Sequence, residues 1–440
     1  MRGISHLELM PEPEDPSLLT AVDTDAPGYP GKAYGLTDEE ARKLRWPMGP
    51  IINFLWPWGA VGFSAIVVSI MLVYPSIYSV LGNVLDSEWA FEDSGIRELQ
   101  RSGTMGEGVN VCIVDTGIDI KHPDFYDLSL EGFRDFYTEV NEPVRDIGQA
   151  SHGTLMAGLL VANGSFVGAA PEVSLSVAIA LGPDGKSANE RMVSQAIRWC
   201  RISQDADIIS LSLGSEPGSI FASSSDTTEA VKEALGEGIF IVAAAGNIDS
   251  EQNSSDVSSP ASLPGVIAVG AHGKSGEPWK DSATGALADP ETGQNRTFPN
   301  QKPEIIAPGV DLWSCIDSER DPPYAFSTGT SDSTVMVTGA LALILAIHGE
   351  QIAGDDGEID EQEMRLVKVA LANSAKKTTG QVQIHDQKRG YGLLDAIEWS
   401  TQVQKEFGIG TEATDSPDAC LLYTSPSPRD QRGSRMPSSA

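Results

Sequence analysis

Basic residues are scarce in this chain: 30 Lys and Arg stand against 62 Asp and Glu, for a formal net charge of −32. Phosphate contacts need clustered cations, so this balance excludes a nucleic-acid partner. The acidic excess reads as a solvated face suited to salty surroundings or export. Cysteine is equally sparse. Cys112, Cys200, Cys315 and Cys420 show neither CxxC spacing nor the density of a disulfide scaffold, so redox chemistry and zinc binding find no support. Cys112, inside an apolar run, reads as a small buried hydrophobe. A hydrophobic content of 40% is enough for a packed core and excludes global disorder.

Charge is absent altogether from Ile51 to Leu85. Gly59 to Tyr78 is long enough to cross a hydrocarbon core, which takes about 20 residues. Trp56 and Trp58 on one side and Tyr74 and Tyr78 on the other suit interfacial belts. Arg42, Lys43 and Arg45 precede the segment, while Asp86 and Glu88 follow it. The positive-inside tendency then puts the N-terminus in the cytoplasm and everything after Leu85 outside. Pro75 is expected to shorten or kink the helix. Residues 1–50 read as a flexible tail, 51–85 as the anchor, 86–402 as one catalytic-type domain and 403–419 as a linker. Residues 420–440, with LLYTSPSPRD and SRMPSSA, look like a translated sequencing adapter.

After Gly103 short β-branched runs alternate with helix-like stretches: VNVCIVD, VSLSVAIA, ADIISLSLG, GIFIVAAAGN and GVIAVGA. Continuous apolar strands of this kind are buried on both faces, as in the parallel sheet of an α/β domain. Residues 188–201 and 227–235 have helical character and supply crossovers.

Three polar residues stand at junctions where side chains converge. Asp115 ends an apolar strand, where an acid can orient an imidazole, or can merely cap a turn. His152, one of six histidines, precedes an apolar helix beside Gly153 and Thr154; it is either structural or a proton acceptor. Ser331 opens a helix that is apolar nearly all round. A serine there has the positive dipole end facing a developing oxyanion, or is simply an N-cap. Asn247, after small residues at a strand end, offers an amide N–H to that oxyanion, or fills a left-handed turn.

DTGID, HGT-x-x-AG, LSLG, AAAGN, APGVDLWS and GTS-x-S-T-x-x-V-T-G, in that order, resemble the subtilase (subtilisin-like) serine proteases from about Trp89 to Trp399. The resemblance implies a central parallel seven-stranded sheet flanked by helices, and peptide-bond hydrolysis through an acyl-enzyme. It implies Asp115 as the orienting acid, His152 as general base then acid, Ser331 as nucleophile, and Asn247 with the Ser331 N–H as oxyanion donors. Ser212, Leu213 and Gly214 match the edge on which a peptide adds as a strand. Ala243, Ala244, Ala245 and Gly246 match the lining of the primary pocket.

After the nucleophile the family pattern has Met, then Ala or Ser, and a Pro two residues on; here Asp332, Ser333 and Val335 occupy those positions, and Asp332 is the unusual one. Asp332 stands beside a site that must accept a second negative charge, so it is expected to tune the pH optimum or lower activity. Leu155 replaces a second histidine. The stretch VANGSFVGAAP is too short for a calcium-holding loop, and Asp124 alone is a poor calcium site, so no cofactor is expected. Little chain separates the anchor from Trp89, leaving no room there for a folding-assisting propeptide. Two readings follow: an active membrane-tethered endopeptidase, or a catalytically silent peptide-binding module of the same fold.

Overall fold

The β-branched runs become the strands expected of them. A computed structural model describes residues 50–185, 190–213, 226–248, 256–289 and 292–409. Most of the N-terminal tail, Gly214, most of the linker and the adapter-like segment lie outside the described residues. The runs form β1 (Asn110–Asp115), β3 (Ser174–Ile179), β4 (Ile208–Leu211), β5 (Phe240–Ala244) and β6 (Ile267–His272). With β2 (Leu130–Asp135) and β7 (Ile305–Pro308) they make a seven-stranded sheet ordered β2-β3-β1-β4-β5-β6-β7. Every pairing in it is parallel. β8 (Leu312–Cys315) and β9 (Tyr324–Ser327) form a separate antiparallel hairpin.

Side-chain alternation along the strands assigns the two faces. Val111 and Ile113 join a core that includes α3 (His152–Val161) and α6 (Thr330–Ala353). Cys112 and Val114 join one that includes α4 (Glu190–Ser203) and α5 (Asp226–Gly236). The α6 helix is buried on nearly every side and packs against α3 and against β4 to β7. Each fully buried Leu or Ile on it contributes roughly 1.5–3 kcal/mol by leaving water. By length and composition α6 could cross a bilayer, but 72% of its apolar window is buried in the protein, which makes it the core helix. α7 (Glu361–Ser374) begins with a full capping box, in which Asp360 and Glu363 satisfy each other's backbone N–H groups. α8 (Ala396–Glu406) ends the described fold, with α2 (Ile96–Arg101) packed against it.

The first helix, α1, runs from Pro50 to Asp93. It is not shortened at Pro75, where a break or kink was expected. Trp58, Phe63, Ile66, Met71 and Leu72 on it are exposed. Its last turns carry buried Ala90 and Phe91, and Ser87 Oγ accepts a 2.7 Å hydrogen bond from the Trp313 N–H.

The expectation for Cys112 is also overturned. Cys112 is not a lone hydrophobe but is disulfide-bonded to Cys200 on α4, with Cα atoms 5.8 Å apart. Spacing along the chain could not show this, because the pair is 88 residues apart and meets only when the crossover helix packs on the sheet. Cys315 is a free, buried thiol.

Candidate active site

The site lies beyond the C-terminal ends of β1, β4 and β5, three neighbours at the centre of the sheet. In parallel α/β sheets this edge is where ligands bind. Asp115, the last residue of β1, is fully buried. Its Oδ1 lies 2.8 Å from His152 Nδ1 and accepts a 2.7 Å bond from the Thr116 N–H. His152 is the first residue of α3, preceded by Ser151 in the left-handed conformation. The start of α3 is held by Asp146. Its Oδ1 accepts from Thr116 Oγ1 and the Gly148 N–H, and its Oδ2 from the N–H and Oγ1 of Thr154, at 2.6–2.8 Å. Thr116 Oγ1 in turn accepts from the Gly153 N–H. The orphan donors of the helix start are thereby used to fix the imidazole. Gly153 is required there, since a Cβ would fall 2.1 Å from the Gly117 carbonyl oxygen.

Burial works against charge on His152. The field and hydrogen bond of Asp115, then the fields of Asp332 and Asp146, outweigh it and raise the imidazole to about 9. Its side chain keeps 28% of its surface open, so it can be reached from outside.

Ser331 is the second residue of α6, and the helix is capped by Gly329. The serine is therefore not the N-cap, and its hydroxyl is free of that duty. Ser331 Oγ makes a long bond, 3.4 Å, to the Ser212 carbonyl, and among the described residues no hydrogen bond joins it to His152. Asn247 is not in a left-handed turn. Its Oδ1 accepts from both the N–H (3.0 Å) and Oγ1 (2.8 Å) of Thr330. Because a backbone N–H can only donate, this fixes the amide orientation and leaves Nδ2 for another acceptor. Nδ2 lies 3.2 Å from where a Cβ on Gly329 would stand, so a glycine keeps this space open. The Nδ2 group and the first N–H groups of α6 thus share one small region able to hold a negatively charged oxygen.

Asp332 is 1% exposed. Its Oδ2 accepts a 3.0 Å bond from Ser327 Oγ, while Oδ1 is buried without a hydrogen-bond partner among the described residues. Burial pushes its carboxyl up to about 7, opposed by the Ser327 bond and by the charge of His152.

On the substrate side, Ser212 and Leu213 continue past the end of β4 and are buried; Gly214 lies outside the described residues. Ala243 and Ala244 end β5, and Ala243 and Ala245 have their side chains in the core under α4 and α5. Gly246 has φ +109° and donates its N–H to Thr330 Oγ1. A Cβ on it would fall 2.2 Å from Ser258 Oγ.

A second cluster lies under the β8–β9 hairpin, where His122, Asp124 and Cys315 bring potential ligand atoms within 4.8 Å of one another. His122 Nδ1 accepts from the Asp124 N–H and Nε2 donates to the Pro323 carbonyl, so a metal would displace one of these bonds. Burial shifts this imidazole toward a lower pKa and the Cys315 thiol toward a higher one. Asp124 Oδ1 accepts from the Ser165 N–H and the Tyr324 hydroxyl. These donors do not form the six to eight oxygens that calcium takes.

Sequence reasoning missed Asp146 and gave no role to Thr330. The available signal for Asp146 was a carboxylate just ahead of a helix start rich in backbone donors.

The chain is similar to known proteins in sequence and in fold. The sequence profile described as the subtilase family, peptidase S8, matches residues 106–392. Subtilisin E of Bacillus subtilis (strain 168) is 34% identical over 253 residues, covering 57% of this chain and 58% of that protein. The major intracellular serine protease of the same organism is 32% identical over 289 residues, or 64% of this chain and 82% of that one. The match thus spans somewhat over half the length of the curated subtilisins. The structure of the prenylagaramide maturation protease PagA superposes with a TM-score of 0.54 at 22% identity, over 70% of this chain and 98% of that one, a likeness of fold alone. With the motifs in the family's order and the fold beneath them, this chain belongs to the subtilase family.

Proposed function

We propose that the chain is a serine endopeptidase that hydrolyses peptide bonds through an acyl-enzyme on Ser331. The observation that carries this reading is the 2.8 Å contact between His152 Nδ1 and the buried Asp115 carboxylate, at the same sheet edge as a serine on a buried helix start. Asp115 fixes the tautomer, so that Nε2 faces the nucleophile. Ser331 Oγ gives up only its long bond to Ser212 when it turns to His152, which takes its proton as the oxygen attacks the carbonyl carbon. The carbonyl oxygen then moves toward Asn247 Nδ2 and the Ser331 N–H. His152 returns the proton to the leaving amine, and water releases the acyl group by the same relay. Ser212 to Gly214 pair with the substrate backbone, and the main chain from Ala243 to Gly246 borders its side chain, since the Ala243 and Ala245 methyls point into the core. No cofactor enters this chemistry.

The same proposal tethers the domain to a membrane by α1, with the peptidase outside the cytoplasm. Support comes from the uncharged stretch, its exposed apolar side chains and the preceding basic residues. The Cys112–Cys200 disulfide adds an independent argument, since such bonds persist in oxidising compartments.

A fluorophosphonate probe should label the full chain in detergent at Ser331, and Ser331→Ala should abolish the labelling. Asp332 favours one competing reading, a silent peptide-binding module; peptide binding without labelling from pH 5 to 10 would establish that instead. Extraction of membranes with alkaline carbonate should leave the chain in the pellet, and release into the supernatant would end the anchor reading.

A further inference from the structure

We propose that Asp332 is a charge-setting residue of the active site: while ionised it keeps His152 protonated and opposes the negative charge that forms beside Asn247, which confines hydrolysis to alkaline conditions. The inference rests on the peptidase reading above. Asp332 acts by its field on His152 and on the oxyanion space, and it is a positioning residue for charge, not a catalytic one.

The geometry is specific. Asp332 follows the nucleophile in the first turn of α6, and its carboxyl is almost wholly removed from water. Its Oδ2 lies 3.5 Å from the point a Cβ on Gly329 would occupy, and Asn247 Nδ2 lies 3.2 Å from that same point. Both groups therefore border the same small space beside Gly329. Ser327 is the hydrogen-bond donor to Oδ2, and Oδ1 is buried without one among the described residues. The helix dipole and the Ser327 bond favour the ionised form; burial opposes it. Charges act strongly on each other in such surroundings, because little water intervenes.

Two effects follow, with one sign. The charged groups whose fields reach His152 are Asp115 on β1, Asp332 on α6 and Asp146 ahead of α3. All three are acidic, and all favour imidazolium, the wrong form for a general base. Asp115 and Asp146 are needed to hold the ring, so Asp332 is the removable contribution. In the transition state the same carboxylate faces a new oxyanion and weakens its stabilisation. With His152 raised to about 9 and Asp332 to about 7, the pair carries opposite charges between those values, and Nε2 becomes free above them. No bond forms or breaks at Asp332; its charge alone alters where one proton resides.

The test compares the full 440-residue chain in detergent with Asp332→Asn, following both peptide kcat/KM and the fluorophosphonate labelling rate from pH 5 to 10. The acidic limb of both profiles should move at least about one pH unit lower in Asp332→Asn, which is about tenfold more rate at pH 7. Ser327→Ala keeps the carboxyl but removes the bond that favours its ionisation; it should move the limb the same way, by less, and serves if Asp332→Asn does not fold. A residue with a merely structural part would change stability or kcat and leave the limb in place. An active wild type whose limb is unmoved in both variants overturns this inference and leaves the peptidase reading intact. Absence of labelling in wild type and variants alike overturns both.

Discussion

Asn247 carries two duties on one amide. Its oxygen ties the end of β5 to Thr330 at the start of α6, while its nitrogen faces the gap kept by Gly329. Removing a single oxyanion donor typically costs about 10²–10³ in kcat, or about 2.7–4 kcal/mol. Asn247→Ala should therefore lower kcat by that order with KM little changed, as steady-state kinetics on a peptide substrate would register; a loss confined to KM would remove Asn247 from the oxyanion role. At this scale the sequence was most informative where a residue type, a flanking glycine and a junction coincide, as at His152 and Ser331. Asp146 was less legible, because three of its four hydrogen bonds go to Thr116 and Thr154 on other segments, which only the fold brings together.

The α6 helix is the element on which the nucleophile's position depends, and its contact with the neighbouring layer is close. A Cβ on Gly339 would meet Ala169 Cβ at 2.3 Å. Gly339→Val should destabilise the domain by roughly 1–3 kcal/mol through overpacking. The helix-propensity gain on leaving glycine is under about 1 kcal/mol and cannot offset that. Chemical denaturation of the Ser331→Ala chain with and without the change would measure the difference, and equal stability would show that the layers separate freely here. Hydrophobic patterning found the strands β1, β3, β4, β5 and β6 because they are mostly apolar and buried on both faces. It passed over β2, an edge strand whose LEGFRD sequence is half exposed, and over β7 and the β8–β9 hairpin, whose strands have four residues each. β4 is equally short, but the longer apolar run ADIISLSLG around it made it legible.

At the scale of the molecule, the disulfide closes a loop of 88 residues that contains β2, α3 and β3 and joins β1 to α4. On the chain-entropy account, a loop of that length is worth about 4–5 kcal/mol against the unfolded state. Cys200→Ser should lower the urea midpoint of the Ser331→Ala chain accordingly, and a reducing agent should reproduce the shift without mutation. Identical midpoints under oxidising and reducing conditions would mean that the bond does not form. Fold class was legible because motif order and strand character point to the same architecture. The disulfide was not, since cysteine counting has no access to pairs that only tertiary packing brings together.

Parallel pairing imposes a timetable on the working parts. Each neighbour of β1, β4 and β5 must arrive through a crossover, so Asp115, His152, Asn247 and Ser331 become neighbours only when nearly the whole sheet has closed and α6 is seated in it. On the peptidase reading, a chain still being made has no hydrolytic centre with which to cut its own exposed loops. Competence to cleave comes together with the compact state that best resists cleavage.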